Sequence, residues 1–188
     1  MIKETFFLPA CLNQDKRSWA MTVLLVFAIT SSLFASSRLD SLKSALGKNV
    51  TDTASISIFG QIAGEHFRLK NSPDSVLVYL NKALVLSGKT GYTRHLPAIY
   101  GQFALLFSGS GNYSISLDYY FKILNLLDAE AAEDHDIRSV MIRYSNTYVT
   151  IGTTYFNLEN NVKALEYYGK ALDQINRTRS LLGAATNR

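Results

Sequence analysis

Cysteine is almost absent from this chain. Cys11 is the single one, so an internal disulfide framework and a zinc site built on several thiolates are both excluded. Three prolines in 188 residues leave long stretches free to stay helical. Charged residues make up 18% and apolar ones 47%, a balance that excludes a disordered chain and supplies enough material for a core. Nineteen Lys and Arg against fifteen Asp and Glu give +4, with the basic residues dispersed. A nucleic-acid or anionic-lipid surface is therefore not expected. HExxH, CxxC and GxSxG are missing, and no constellation of acid, base and nucleophile appears. The expectation is a non-enzymatic chain without a cofactor.

An uncharged, strongly apolar run is "WAMTVLLVFAITSSLFA", Trp19 to Ala35, with Lys16 and Arg17 just before it. A basic flank, an apolar stretch and then small residues is the order that export machinery reads. Ala35 and Ser37 form a small-x-small pattern that permits cleavage after Ser37. The run also sits at the lower edge of the ~17–25 residues that span a bilayer. Residues 1–37 thus read as a signal peptide or as an uncleaved membrane anchor. Both put the chain beyond Arg38 on the exported side, periplasmic or held at the inner membrane. No cysteine comes after the run to carry a lipid. Removing residues 1–37 takes three basic and two acidic side chains and leaves +3.

The remainder has apolar residues at three- and four-residue steps, the period of helices. It also repeats itself. "GQIAGEHFRLKNSPDSVLVYLNKAL" at 60–84, "YGQFALLFSGSGNYSISLDYYFKIL" at 100–124 and "YVTIGTTYFNLENNVKALEYYGKAL" at 148–172 align without gaps. Each opens with an apolar helix holding a small residue (Gly64, Ala104, Gly152) and, three places on, an aromatic (Phe67, Phe107, Tyr155). A polar turn comes next: "KNSPDS", "GSGNYS" or "LENN". The second helix places Leu80, Tyr120 and Tyr168 at one position and Ala83, Ile123 and Ala171 three further on, with Ala164 also small in the third unit. Two helices joined by a short turn approach closely where one is small and the other fills the gap. One such hairpin cannot bury its own apolar face, so hairpins must share a core.

This order of small and aromatic residues resembles the tetratricopeptide repeat. The resemblance covers about residues 54–175 and is best in the third unit; in the first, Val76 and Leu80 replace the usual alanine and aromatic. It implies an all-α fold, a short right-handed solenoid of three hairpins at about 54–87, 96–128 and 138–176. A leader helix at 38–53 precedes them, and a hydrophobic helix lies in the N-terminal segment. Residues 177–188 would be a tail or the start of a capping helix. The small residues are spaced by 40 and then 48, so "DAEAAEDHD" should absorb most of the second excess. "LDSLKSALGKNVTDT" is similar to the leader of exported bacterial repeat proteins, many of them sensory halves of histidine kinases, cyclases or transcription regulators.

Several features compete with that reading. "ALLFSGSGNYSISLDYYFKILNLLD" can be written as strand, glycine turn, helix and strand, with Asp128 placed as in a dinucleotide-binding fold. Ser114 stands where the third glycine belongs, and helical period continues to Leu127, so Gly109 and Gly111 read better as a hairpin turn. "EAAEDHD" gathers Glu130, Glu133, Asp134, His135 and Asp136, which suits either a divalent metal or a solvated loop. Glu65 and His66 are adjacent and point apart on a helix, His66 reads as packed or solvated, and His95 has no visible partner. Asn49, Asn112 and Asn176 begin Asn-x-Ser/Thr sites that matter only in a glycosylating host.

The resemblance places binding on the concave face lined by the first helices. The groove residues would be Gln61, Glu65, Arg68, Leu105, Ser108, Asn146, Val149, Thr153, Phe156 and Asn157. They lack the lysine–asparagine clamp with which co-chaperone members hold a terminal carboxylate. The implied function is a protein- or peptide-binding scaffold, or alternatively the sensory input module of a membrane receptor. If uncleaved, the N-terminal segment reaches the membrane, and the last hairpin is open to self-association. Of the neighbouring tyrosines, Tyr168 is expected to be the buried clamp and Tyr167 to pack between hairpins with its hydroxyl near solvent.

Overall fold

The computed structural model describes residues 38–47, 50–70, 72–132 and 136–186, with side chains as far as Leu181. The signal-or-anchor segment, Cys11, Asn49, Glu133, Asp134 and His135 lie outside the described residues. All described secondary structure is helical. Helix α1 spans residues 38–46. It is followed by α2 (Asp52–Arg68), α3 (Pro73–Thr90), α4 (Leu96–Gly109), α5 (Tyr113–Ala132), α6 (Ile137–Asn157) and α7 (Asn161–Thr186). Among the described residues no helix is long and apolar enough to cross a membrane.

Local chemistry sets the ends of these helices. The Thr51 hydroxyl accepts from Ala54 N at 3.3 Å, the Ser72 hydroxyl from Asp74 N at 3.3 Å and the Asp136 carboxylate from Arg138 N at 3.2 Å. Asn160 Oδ1 accepts from Lys163 N at 3.1 Å at the start of α7. Pro73 and Pro97 occupy first-turn positions, where a missing N–H costs nothing. The second and third turns share one closure: Asn112 N donates to Phe107 O at 2.8 Å and Asn160 N to Tyr155 O at 2.9 Å. The residue before each asparagine has positive φ, Gly111 at +78° and Glu159 at +58°. Gly111 is thus a turn glycine, and α4 and α5 run as helices on either side of it, which overturns the strand alternative for a dinucleotide site.

Helices pair in chain order, α2 with α3, α4 with α5 and α6 with α7, and each pair touches the next. Two apolar clusters hold the assembly together. Ile56, Ala63, Val76, Leu80, Ala83, Leu96, Ile99 and Phe103 join α2, α3 and α4. Ala104, Leu117, Tyr120, Ile123, Leu127, Val140 and Ile151 join α4, α5 and α6. Helix α4 serves both, through Leu96, Ile99 and Phe103 on one side and Ala104 on the other. The extra length between the second and third units is largely helical: α5 runs through Ala132 and α6 is 21 residues against 14 for α4. Residues 177–186 continue α7 without a break, where a tail or a separate capping helix was expected. No proline falls there, and an isolated glycine such as Gly183 does not end a helix.

Most of the repeat positions sit in the interior: Leu80, Ala83, Ala104, Ala164 and Ala171 are buried, and Phe107 and Tyr155 half-buried. Two depart from expectation. Phe67 is 44% exposed and lines an apolar cavity of about 800 Å³ with Val76, Leu77, Leu106 and Phe107. Tyr168 is 36% exposed, whereas its equivalents Leu80 and Tyr120 are 0% and 5% exposed. The cause is position in the stack. Leu80 is covered by Ile99 and Phe103 of α4, and Tyr120 by α6, whose Thr150 reaches its hydroxyl. No described element follows α7 to cover Tyr168.

The small-against-large fit is nonetheless tight in the third pair. A Cβ on Gly152 would lie 2.7 Å from Cε1 of Tyr168 and 3.2 Å from the Ala164 carbonyl oxygen. In the first pair Gly64 faces Gln102 of α4 instead, at 3.7 Å or more.

Tyr167 is the inward member of its pair. Its ring lies 5.5 Å from Tyr155, 6.1 Å from Tyr148 and 6.2 Å from Phe121 of the preceding hairpin. Tyr167→Ala is expected to cost about 3 kcal/mol, near the lower end for a packed aromatic, and Tyr168→Ala about 1–2 kcal/mol because part of its area is already in water. Urea denaturation of the two variants checks the order.

Candidate functional site

Sequence repetition places one tyrosine per unit, Tyr79, Tyr119 and Tyr167, on the face of the second helix that meets the first. Tyr119 stacks on Phe103 and Phe107 at 4.7 and 5.9 Å and tilts against Tyr100 at 5.8 Å. Tyr79 stacks on His66 at 5.4 Å and meets Phe59 at 6.3 Å. A lysine three residues on covers each ring. Lys82 Nζ is 5.1 Å from the Tyr79 centroid, Lys122 Nζ 4.6 Å from Tyr119 and Lys170 Nζ 4.4 Å from Tyr167. Each contact is worth about 0.5–1 kcal/mol at such exposed sites. Burial raises the hydroxyl pKa of Tyr119 and of Tyr167, the latter offset in part by Lys170, so both rings stay neutral at physiological pH. The aligned lysines were legible in "NKAL", "FKIL" and "GKAL", but sequence reasoning attached no contact to them.

The expected groove residues divide into two places. Gln61 and Glu65 line a cleft of about 300 Å³ with Arg38, His95 and Gln102 and with the apolar Ile56, Ala98 and Ile99. Glu65 is not an open groove residue. It is buried, with Arg38 Nε 3.0 Å from one carboxylate oxygen and Arg68 Nη2 and Nε 2.7 and 2.9 Å from the other. A carboxylate leaves water only when paired, and these two guanidinium groups pair it. Arg68 is therefore tied to Glu65 as well, and α1 is tied to the first hairpin. Gln102 Nε2 donates to Gly60 O at 3.1 Å, which fixes the amide orientation. Its buried Oε1 has no hydrogen-bond partner among the described residues.

The second place is α6. Asn146, Val149, Thr153, Phe156 and Asn157 are all exposed along one face, Phe156 to 60%. The Thr153 hydroxyl donates to Val149 O at 3.0 Å and lies 3.2 Å from the Tyr168 hydroxyl. On α4, Leu105 is exposed and Ser108 half-buried, and both stand apart from the cleft and from the α6 row.

The acidic end of α5 is a joint with α6. Arg143 donates to both Glu130 oxygens, one at 3.1 Å, and the Tyr144 hydroxyl donates to Asp128. Burial, then that hydrogen bond, raises the Tyr144 pKa well above its ordinary value. Glu130 is thus occupied by a cation from its own fold. Among the described residues no group of three metal-ligating side chains occurs.

No family model and no curated protein matches the chain.

His66 is packed, its ring stacked on Tyr79. Burial first, and then Lys43, lowers its pKa below 6.5. The folded state therefore holds fewer protons than the unfolded one between that depressed value and 6.5. The contribution to stability is full above 6.5 and is lost as pH falls through the folded value. His66→Phe keeps a ring on Tyr79 and removes the titration. The drop in melting temperature from about pH 7.5 to about pH 5 should be smaller in that variant.

Proposed function

We propose that the chain is an exported, non-enzymatic scaffold of the tetratricopeptide kind, a short right-handed solenoid that holds an extended protein segment along its first helices. The observation that carries this reading is the α6 row. Two amides, Asn146 and Asn157, flank the apolar Val149 and Phe156, with Thr153 between them, and all five are exposed. Amides offer both donors and acceptors to a peptide backbone, while a valine and a phenylalanine offer cover to its side chains. Leu105 and Gln61, exposed on α4 and α2, extend the same chemistry to the earlier hairpins.

The family reading draws support from equivalence. Residues at matching places in the three aligned segments do matching work, as Tyr79, Tyr119 and Tyr167 and their lysines do. The export reading rests on the basic flank and the uncharged run Trp19 to Ala35. The buried carboxylate Glu65 is neutralised by Arg38 and Arg68, which makes it a tie between helices rather than a base.

An array of overlapping peptides probed with the labelled full chain tests the proposal. A subset should bind with Kd in the micromolar range, and Phe156→Ala should weaken those peptides about tenfold with helicity unchanged. Binding indifferent to both Phe156→Ala and Val149→Ala, or no peptide bound, contradicts it.

A further inference from the structure

An apolar cavity opens where α2 and α3 of the first hairpin meet α4 of the second. Its walls are Phe67, Pro73, Val76, Leu77, Leu106 and Phe107. Val76 is buried, and Leu77, Leu106 and Phe107 are half-buried. The volume, about 800 Å³, falls within the ~300–1,000 Å³ of small-molecule sites.

Two departures from the repeat accompany this space. In the second and third hairpins Phe107 and Tyr155 stack on their own tyrosines, Tyr119 at 5.9 Å and Tyr167 at 5.5 Å. In the first, Tyr79 stacks on His66 instead, and Phe67 has no ring partner among the described residues. The second departure is Pro73. The aligned residue of the second hairpin is the larger Tyr113, which is half-buried. A phenylalanine exposed beside other apolar walls gains from any hydrocarbon that covers it.

Charge at the mouth is of one sign. Arg68 and Lys70 line the cavity, both exposed, and no carboxylate is among the described residues that line it. Arg38 and Arg68 share the single carboxylate of Glu65, which leaves one positive charge over, and Lys70 adds a second. Asp74, beside Pro73, stands in the first turn of α3 and is not a lining residue. The Ser110 hydroxyl is already committed to Phe107 O at 3.0 Å. The walls therefore offer no hydrogen bond to the body of a ligand, and the mouth offers two cations to its end.

We propose that this cavity binds a medium-chain fatty acid, its hydrocarbon chain among the six walls and its carboxylate between Arg68 and Lys70. The site is independent of the peptide-binding reading, which rests on the α6 row.

Photolabelling of the full chain with a diazirine-bearing dodecanoate, mapped by peptide mass spectrometry, tests the assignment. Label should fall within 67–77 and 106–110, and unmodified dodecanoate should displace it. From octanoate to dodecanoate, each added methylene should strengthen displacement about fourfold. Dodecanol, with the same chain and no charge, should compete poorly. Lys70→Glu, a change at an exposed residue, should weaken dodecanoate about fivefold. Leu106→Trp should fill the cavity and abolish the label with helicity unchanged. Label confined to the run Trp19 to Ala35, dodecanol competing as well as dodecanoate, a lysophospholipid competing better than either, or labelling indifferent to both variants would each overturn the proposal.

Discussion

Each pair of helices is held by a tyrosine that the second helix lays into aromatics of the first, with a lysine over the outer side of the ring. Tyr119 shows the arrangement most fully, between Phe103, Phe107 and Tyr100 and beneath Lys122. The ring supplies a large apolar area with only two side-chain torsions to fix, and the lysine stem shields it while the ammonium stays in water. This contact sets the separation of the two helices. The separation in turn decides where a small residue is obligatory, as at Gly152. It also decides which residues of the second helix remain outside, facing the next pair. Stacking, the shared role of α4 and the exposed end at α7 all result from that division of faces.

The helical class and the pairing of helices were legible because they depend on local period and on repetition. Gly111 and the two asparagines at 112 and 160 announced turns through residue types that favour them. What the alignment could not convey is that equivalent positions have different neighbours along a finite stack. Tyr168 occupies the same place in its hairpin as Tyr120, and it clamps Gly152 as expected, yet it is far more exposed because no described helix lies over it. Burial in a repeat belongs partly to the neighbour.

Glu65 illustrates a second limit. Its place on the first helix, read from the repeat, assigns it to the concave surface. The guanidinium of Arg38 comes from outside the repeated segments, and its contact with Glu65 is long-range in sequence. Ion pairs of this kind leave no periodic signal. Asn146, Val149, Thr153, Phe156 and Asn157, assigned through the resemblance, do share an exposed face, because they lie on a single helix where spacing decides which side chains line up.

If cover by the following hairpin is what stabilises each second helix, protection of backbone amides must vary along the chain in a set order. Hydrogen–deuterium exchange resolved by peptide measures this directly. Slowest exchange is expected in α4 and α5, which have neighbours on both sides, and faster exchange in the C-terminal half of α7. Uniform protection through all three pairs, or slowest exchange in α7, would contradict the account.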